Sequence, residues 1–165
     1  MTFTAQSEPD EAVRCGEAAE AGQDGSLTGW DVCIERDSED CVGLSEEQRR
    51  WPALLRRIAA EHLAKWRLAD MEGDVSLVLT ELVTNAFRYG AGPTIGVRCR
   101  RLTAHIRIEV DDGSPKPPCP RQAGAEEESG RGMWIVAAVA DRWGVSDDGC
   151  CTWCTVTIPD EEKAS

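Results

Sequence analysis

Three short stretches of this 165-residue chain combine residue types and spacings that can do chemistry. The first is Glu81-Leu82-Val83-Thr84-Asn85-Ala86, inside a run whose apolar residues Val75, Val78, Leu79, Leu82, Val83 and Ala86 recur at helical steps. Glu81 and Asn85 are four apart, so they share one helix face beside the apolar stripe. A carboxylate and an amide oxygen placed together can bind a hard cation such as Mg2+, directly or through water. The plain alternative is a surface glutamate with a partner asparagine. The second stretch is Val110-Asp111-Asp112-Gly113-Ser114-Pro115, at the end of an alternating run. Parity puts Asp112 on the inward face with Ile106, Ile108 and Val110, and Asp111 on the other face with Arg107 and Glu109. A carboxylate there can accept a hydrogen bond from an exocyclic amine such as that of adenine, or it can merely begin a turn. The third is Gly130-Arg131-Gly132-Met133, where glycines ahead of a helix let backbone N–H groups approach a phosphate and Arg131 adds charge. A lone pair of glycines before a helix is equally an ordinary loop ending.

These stretches must be held by regular elements, and the sequence predicts them. Residues 1–26 read as a flexible acidic tail. A short strand over 27–35 carries Trp30, Val32 and Ile34. Ser45 caps a helix running to about Trp66, with Glu46, Glu47 and Gln48 in its first turn and Pro52 early in it. Asp74 is expected to cap the next helix, which ends near Tyr89 before Gly90, Gly92 and Pro93. Strands over 94–101 and 104–110 form an antiparallel hairpin. A proline-rich stretch of about 113–129 reads as a lid. A helix over 133–140 and strands over 143–146 and 151–158 complete the chain, before a polar tail at 160–165.

Composition excludes several classes. Residues 1–47 hold thirteen acids against Arg14 and Arg36, a net charge of −11, and the remaining residues are close to neutral. An acidic chain repels phosphate backbones, so nucleic acid is not an expected partner. The apolar runs are too short to cross a bilayer, and the first ten residues lack the basic and apolar features of a secretory signal. A cytoplasmic protein with eight reduced cysteines is therefore expected. Cys151 and Cys154 are the single C-x-x-C pair, and in a strand they point to opposite faces, which suits zinc poorly.

Taken in order, Glu81 to Asn85, Asp112 to Ser114, the lid and Gly130 to Gly132 resemble the N box and the two glycine boxes of the ATPase superfamily shared by gyrase, heat-shock chaperones, histidine kinases and mismatch-repair ATPases. Glu81-Leu82-Val83-Thr84-Asn85-Ala86 and Gly130-Arg131-Gly132-Met133 look most like the anti-sigma factor serine/threonine kinases, and in particular the small actinobacterial ATP-binding regulators. The resemblance spans about Trp30 to Pro159, and the domain is set at 27–159. It implies an α/β (α+β) two-layer sandwich with a mixed, mostly antiparallel sheet and helices on one face. It implies ATP and Mg2+ as cofactors. Asn85 would coordinate Mg2+, Asp112 would bind the adenine amine, and Ser114 would lie in the first glycine box. Gly130, Arg131, Gly132 and Met133 would line the phosphate end, and Glu81 would act as general base on a serine hydroxyl or orient it.

In this family the acceptor serine belongs to an anti-anti-sigma protein, which competes with a sigma factor for the kinase, and relatives often form homodimers. The second glycine of the first box is replaced here by Ser114, followed by Pro115, and the family's last-strand threonine falls at Thr152 or at Cys151. A second reading is an ATP-binding switch that sequesters a partner without phosphate transfer. A third, a sensor histidine kinase fragment, would need a phosphoacceptor histidine on a dimerising hairpin, and only His62 and His105 exist.

Overall fold

The computed structural model describes residues 16–18, 28–36, 44–113 and 128–160. They form one six-stranded sheet with helices packed on one face. The strands are β1 (Gly16–Ala18), β2 (Thr28–Glu35), β3 (Thr94–Arg101), β4 (His105–Asp111), β5 (Arg142–Val145) and β6 (Cys151–Thr157). The helices are α1 (Glu46–Lys65), α2 (Glu72–Tyr89) and α3 (Glu128–Val139), with a 3-10 turn at Ala69–Met71. Strand order is β1-β2-β3-β4-β6-β5. Each described pairing is antiparallel, so the sheet has no parallel member among the described strands.

Period-two patterning decides which face is covered. Trp30, Val32 and Ile34 of β2 stand opposite Cys99, Val97 and Ile95 of β3. Val97 and Cys99 in turn stand opposite Val110 and Ile108 of β4. All are buried, and with Cys154 and Val156 of β6 they make the floor of the core. Val75, Val78, Leu79, Leu82, Val83, Ala86 and Phe87 of α2 cover it. Trp51, Leu55, Ala59 and Leu63 of α1 pack in the same cluster. A fully buried Leu, Ile or Val contributes ~1.5–3 kcal/mol relative to exposure, so this layer dominates the stability. The opposite face is polar. Arg100 pairs with Asp31 at 2.7 Å and Arg98 with Glu109 at 3.3 Å. The Arg107 guanidinium lies 4.6 Å from the ring centre of Trp153.

Local sequence explains most boundaries. Ser45 accepts from the Gln48 amide at 3.1 Å while the Gln48 side chain accepts from the Ser45 amide at 3.2 Å, a complete capping box. At the other end of α1, Arg67 adopts φ 61°. Arg67 N–H bonds the Ala64 carbonyl at 3.1 Å and Leu68 N–H bonds the Leu63 carbonyl at 2.8 Å. This is a Schellman stop with arginine where glycine is usual.

Three expectations need correction. Helix α2 starts at Glu72 rather than at an Asp74 cap, because the 3-10 turn runs straight into it. Met71 is the N-cap and supplies no side-chain bond, leaving Asp74 inside the first turn. Helix α3 starts at Glu128, so Gly130, Arg131 and Gly132 lie inside it rather than ahead of it. Glycine weakens a helix by about 1 kcal/mol but does not forbid it. And Gly16–Ala18, within the stretch read as tail, pairs with β2 through Gly16 opposite Asp31 and Ala18 opposite Gly29. The rest of that tail, most of the lid and the last five residues lie outside the described residues.

Candidate functional site

The expected site residues come from three elements that meet at one end of the sheet. On α2, Glu81 and Asn85 are half-buried at the edge of the apolar stripe, Glu81 after the buried pair Val78–Leu79 and Asn85 after the buried pair Leu82–Val83. Helix α3 crosses there with Gly132 buried against them. A methyl group on Gly132 would sit 2.7 Å from Glu81 Oε2, 3.4 Å from Asn85 Nδ2 and 3.6 Å from Asn85 Oδ1. A side chain here would displace the Glu81 carboxylate, which gives this glycine a packing reason inside a helix. The structure therefore brings Glu81, Asn85 and Gly132 together across nearly fifty residues of sequence. Arg131 is exposed beside them and Met133 is half-buried against the core.

Asp112 follows the last residue of β4, and its N–H bonds the Cys150 carbonyl at 2.9 Å. The next residue, Gly113, has φ +67°, and its N–H bonds Asp111 Oδ1 at 2.8 Å. That Asx turn in the left-handed region swings the chain off the sheet just after the carboxylate. A methyl group on Gly113 would meet the Thr94 carbonyl at 2.7 Å, so glycine is required there on both counts. Ser114 lies outside the described residues, as do the side-chain surroundings of Gly130.

The register also places the last strand. Thr152 stands opposite Val110, so it shares the inward face on which Asp112 follows two residues later. Cys151 stands opposite Asp111 on the polar face. Thr152 thus lies diagonally from Asp112 on the inward face, and Cys150 stands directly across from Asp112. Cys154 faces inward opposite Ile108, so Cys151 and Cys154 lie on opposite faces. Partial desolvation, followed by the charges of Asp148, Asp111 and Asp112, pushes the Cys150 thiol up and keeps it protonated at neutral pH. His62 is 8% exposed, 6.2 Å from the Trp30 ring and 5.7 Å from the Trp66 ring, where it serves as a core residue.

Sequence reasoning missed Arg36. It follows β2, and its side chain reaches the end of α2. Arg36 Nη2 donates to the Ala86 carbonyl and Nη1 to the Phe87 carbonyl at 3.4 Å. Burial lowers its guanidinium from the usual arginine value, and the negative charge of Asp112 opposes that shift. No local signal marks it, since its partners lie fifty residues away.

The donor set fits Mg2+ and ATP. Glu81 and Asn85 offer hard oxygens from one helix face, and among the described residues no group of three or more His, Cys, Asp or Glu is placed to hold a metal ion. Two protein groups are what Mg2+ commonly uses when phosphates and waters fill its remaining positions. The family model for the histidine kinase-like ATPase domain matches residues 44–158. The chain belongs to the histidine kinase-like ATPase domain family. Membership implies that it binds ATP, and it is consistent with the antiparallel sheet and one-sided helices. An uncharacterized protein of Streptomyces coelicolor is 39% identical over 75 residues, covering 43% of this chain and 71% of that one. Among the described residues of this ATPase domain, no helix is long and apolar enough to cross a membrane.

Proposed function

We propose that this ATPase domain is a cytoplasmic anti-sigma regulatory factor with serine/threonine protein kinase activity. It phosphorylates a serine of an anti-anti-sigma partner and so controls transcription by a sigma factor. The observation that carries this reading is the meeting of Glu81 and Asn85 with Gly132, which sets a carboxylate beside the amide that would hold the cation. Bound Mg-ATP supplies the transferable phosphoryl group. Asn85 offers its Oδ1 to the cation, and Asp112 accepts from the adenine amine, with Thr152 on the same face of the sheet. The first-turn N–H groups of α3 lack intrahelical acceptors, and the positive end of that helix favours anionic oxygens. Arg131 is exposed and able to add a charge contact there. Glu81 takes the proton of the incoming serine hydroxyl or orients that hydroxyl. Positioning and charge neutralisation provide most of the rate in such transfers.

The test is Mg-ATP binding by calorimetry on wild type, Asn85→Ala and Asp112→Asn, followed by radiolabelled phosphate transfer to candidate anti-anti-sigma proteins. Asn85→Ala is expected to abolish Mg-dependent binding, and Asp112→Asn to weaken ATP binding at least tenfold. Transfer by wild type together with these losses supports the kinase. Binding without transfer to any candidate favours the ATP-gated switch. Unchanged affinity in Asn85→Ala sinks the metal assignment, and no binding by wild type sinks the nucleotide reading.

A further inference from the structure

We propose that Arg36 is a positioning residue that clamps the C-terminal end of α2 to the strand end bearing Asp112, holding the metal-binding and base-binding ends of the site as one unit. This rests on the nucleotide reading above. The last carbonyls of a helix carry its negative end, although that of Ala86 also accepts from Gly90 N–H. Here Ala86 and Phe87, the two residues directly after Asn85, give their carbonyls to the Arg36 guanidinium. Such charge-assisted bonds are about twice as strong as neutral ones. The base of the side chain is fixed as well, because Arg36 N–H bonds the Pro93 carbonyl at 2.9 Å.

The same guanidinium lies close enough to Asp112 for their charges to interact. Gly90 is the gap that permits this. A methyl group there would sit 2.6 Å from the Asp112 Cβ and 2.6 Å from the Ala86 carbonyl oxygen, and it would collide with Arg36 Nη2. Gly90 has an ordinary extended backbone with ψ 150°, so close approach alone accounts for it. Three segments far apart in sequence therefore close on one point, where the planar fork of an arginine joins two carbonyls and sets its charge near that of Asp112. A displaced Asp112 carboxylate meets the adenine amine poorly, so the clamp also governs base selectivity.

The test uses the full chain, with Arg36→Met, Arg36→Lys and Gly90→Ala. Amide exchange without nucleotide reads the clamp itself. Gly90 N–H bonds the Ala86 carbonyl at 3.0 Å and Asp112 N–H bonds the Cys150 carbonyl at 2.9 Å, so both report on it. Calorimetry with Mg-ATP and Mg-ITP reads its consequence, because inosine lacks the exocyclic amine. Arg36→Met is expected to speed exchange at both amides about tenfold or more, to cut ATP affinity ~10–100-fold and to bring the ATP/ITP ratio toward one. Arg36→Lys keeps the charge and one donor, and should recover part of each. Gly90→Ala, which wedges the junction with Arg36 intact, should reproduce the Arg36→Met pattern and decides the matter if Arg36→Met does not fold. Unchanged exchange overturns the clamp. Faster exchange with the ATP/ITP ratio intact reduces Arg36 to a helix cap and also overturns the proposal. If wild type binds neither nucleotide, the functional reading fails, and the exchange comparison alone decides whether the clamp exists.

Discussion

Gly132 separates the chemistry of the site from the stability of the chain. Alanine in a helix interior is favoured over glycine by about 1 kcal/mol. Yet the new methyl group would lie 2.7 Å from Glu81 Oε2, and the flexible carboxylate, rather than the backbone, must move. Gly132→Ala is therefore expected to leave the melting temperature within a few degrees of wild type while lowering Mg-dependent ATP affinity or phosphate transfer at least tenfold. Scanning fluorimetry and calorimetry on one preparation check both halves. An unfolded variant, or one with full activity, would contradict this account of why the position is glycine. Thr152 shows the value of register at this scale. Of the two candidates, the register puts Thr152 on the inward face with Val110 and Cys151 on the polar face with Asp111.

At the scale of elements, the end of α1 is stopped by a left-handed Arg67 rather than by glycine. An L-residue in that conformation costs roughly 1–2 kcal/mol. Arg67→Gly should therefore stabilise the chain by about 1 kcal/mol, after glycine's larger unfolded-state entropy is subtracted, and raise the melting temperature by about 2–4 °C. A fall in melting temperature would mean that the arginine side chain contributes more than its backbone strain takes away. Helix α1, most of α2 and the β3–β4 hairpin were legible because apolar periodicity and capping residues agree along them. Glu81 and Asn85 were legible for the same reason, since a four-residue spacing on an amphipathic helix fixes their face. The start of α3 was not, because glycine was read as a boundary and its tolerance depends on Glu81 crossing over it. Nor was β1, which holds only three residues and has no alternating pattern. Arg36 was invisible because its role depends on contacts with Ala86, Phe87 and Asp112 that only the tertiary fold creates.

For the molecule as a whole, two core thiols set an alkaline limit. Burial pushes Cys99 and Cys154 from 9.0 up to about 12. The unfolded chain ionises both above pH 9 and the folded chain does not, so unfolding releases protons and stability falls as pH rises from about 9 toward 12. Each thiol contributes a slope of about 1.4 kcal/mol per pH unit in that window. Urea unfolding at pH 8, 9 and 10 should show the decline in wild type and a flatter profile in a Cys99→Ala, Cys154→Ala double variant. Equal slopes would refute the assignment. The strand order carries a different consequence. β6 is made after β5 yet lies between β5 and β4. While the ribosome is still upstream of residues 151–157, β5 has nothing to pair with and β4 presents the bare edge of Ile106, Ile108 and Val110. The amide of Asp112 likewise waits for Cys150. A nascent or prematurely terminated chain thus exposes an unpaired strand edge beside the apolar floor, and translation must deliver β6 before that edge is covered.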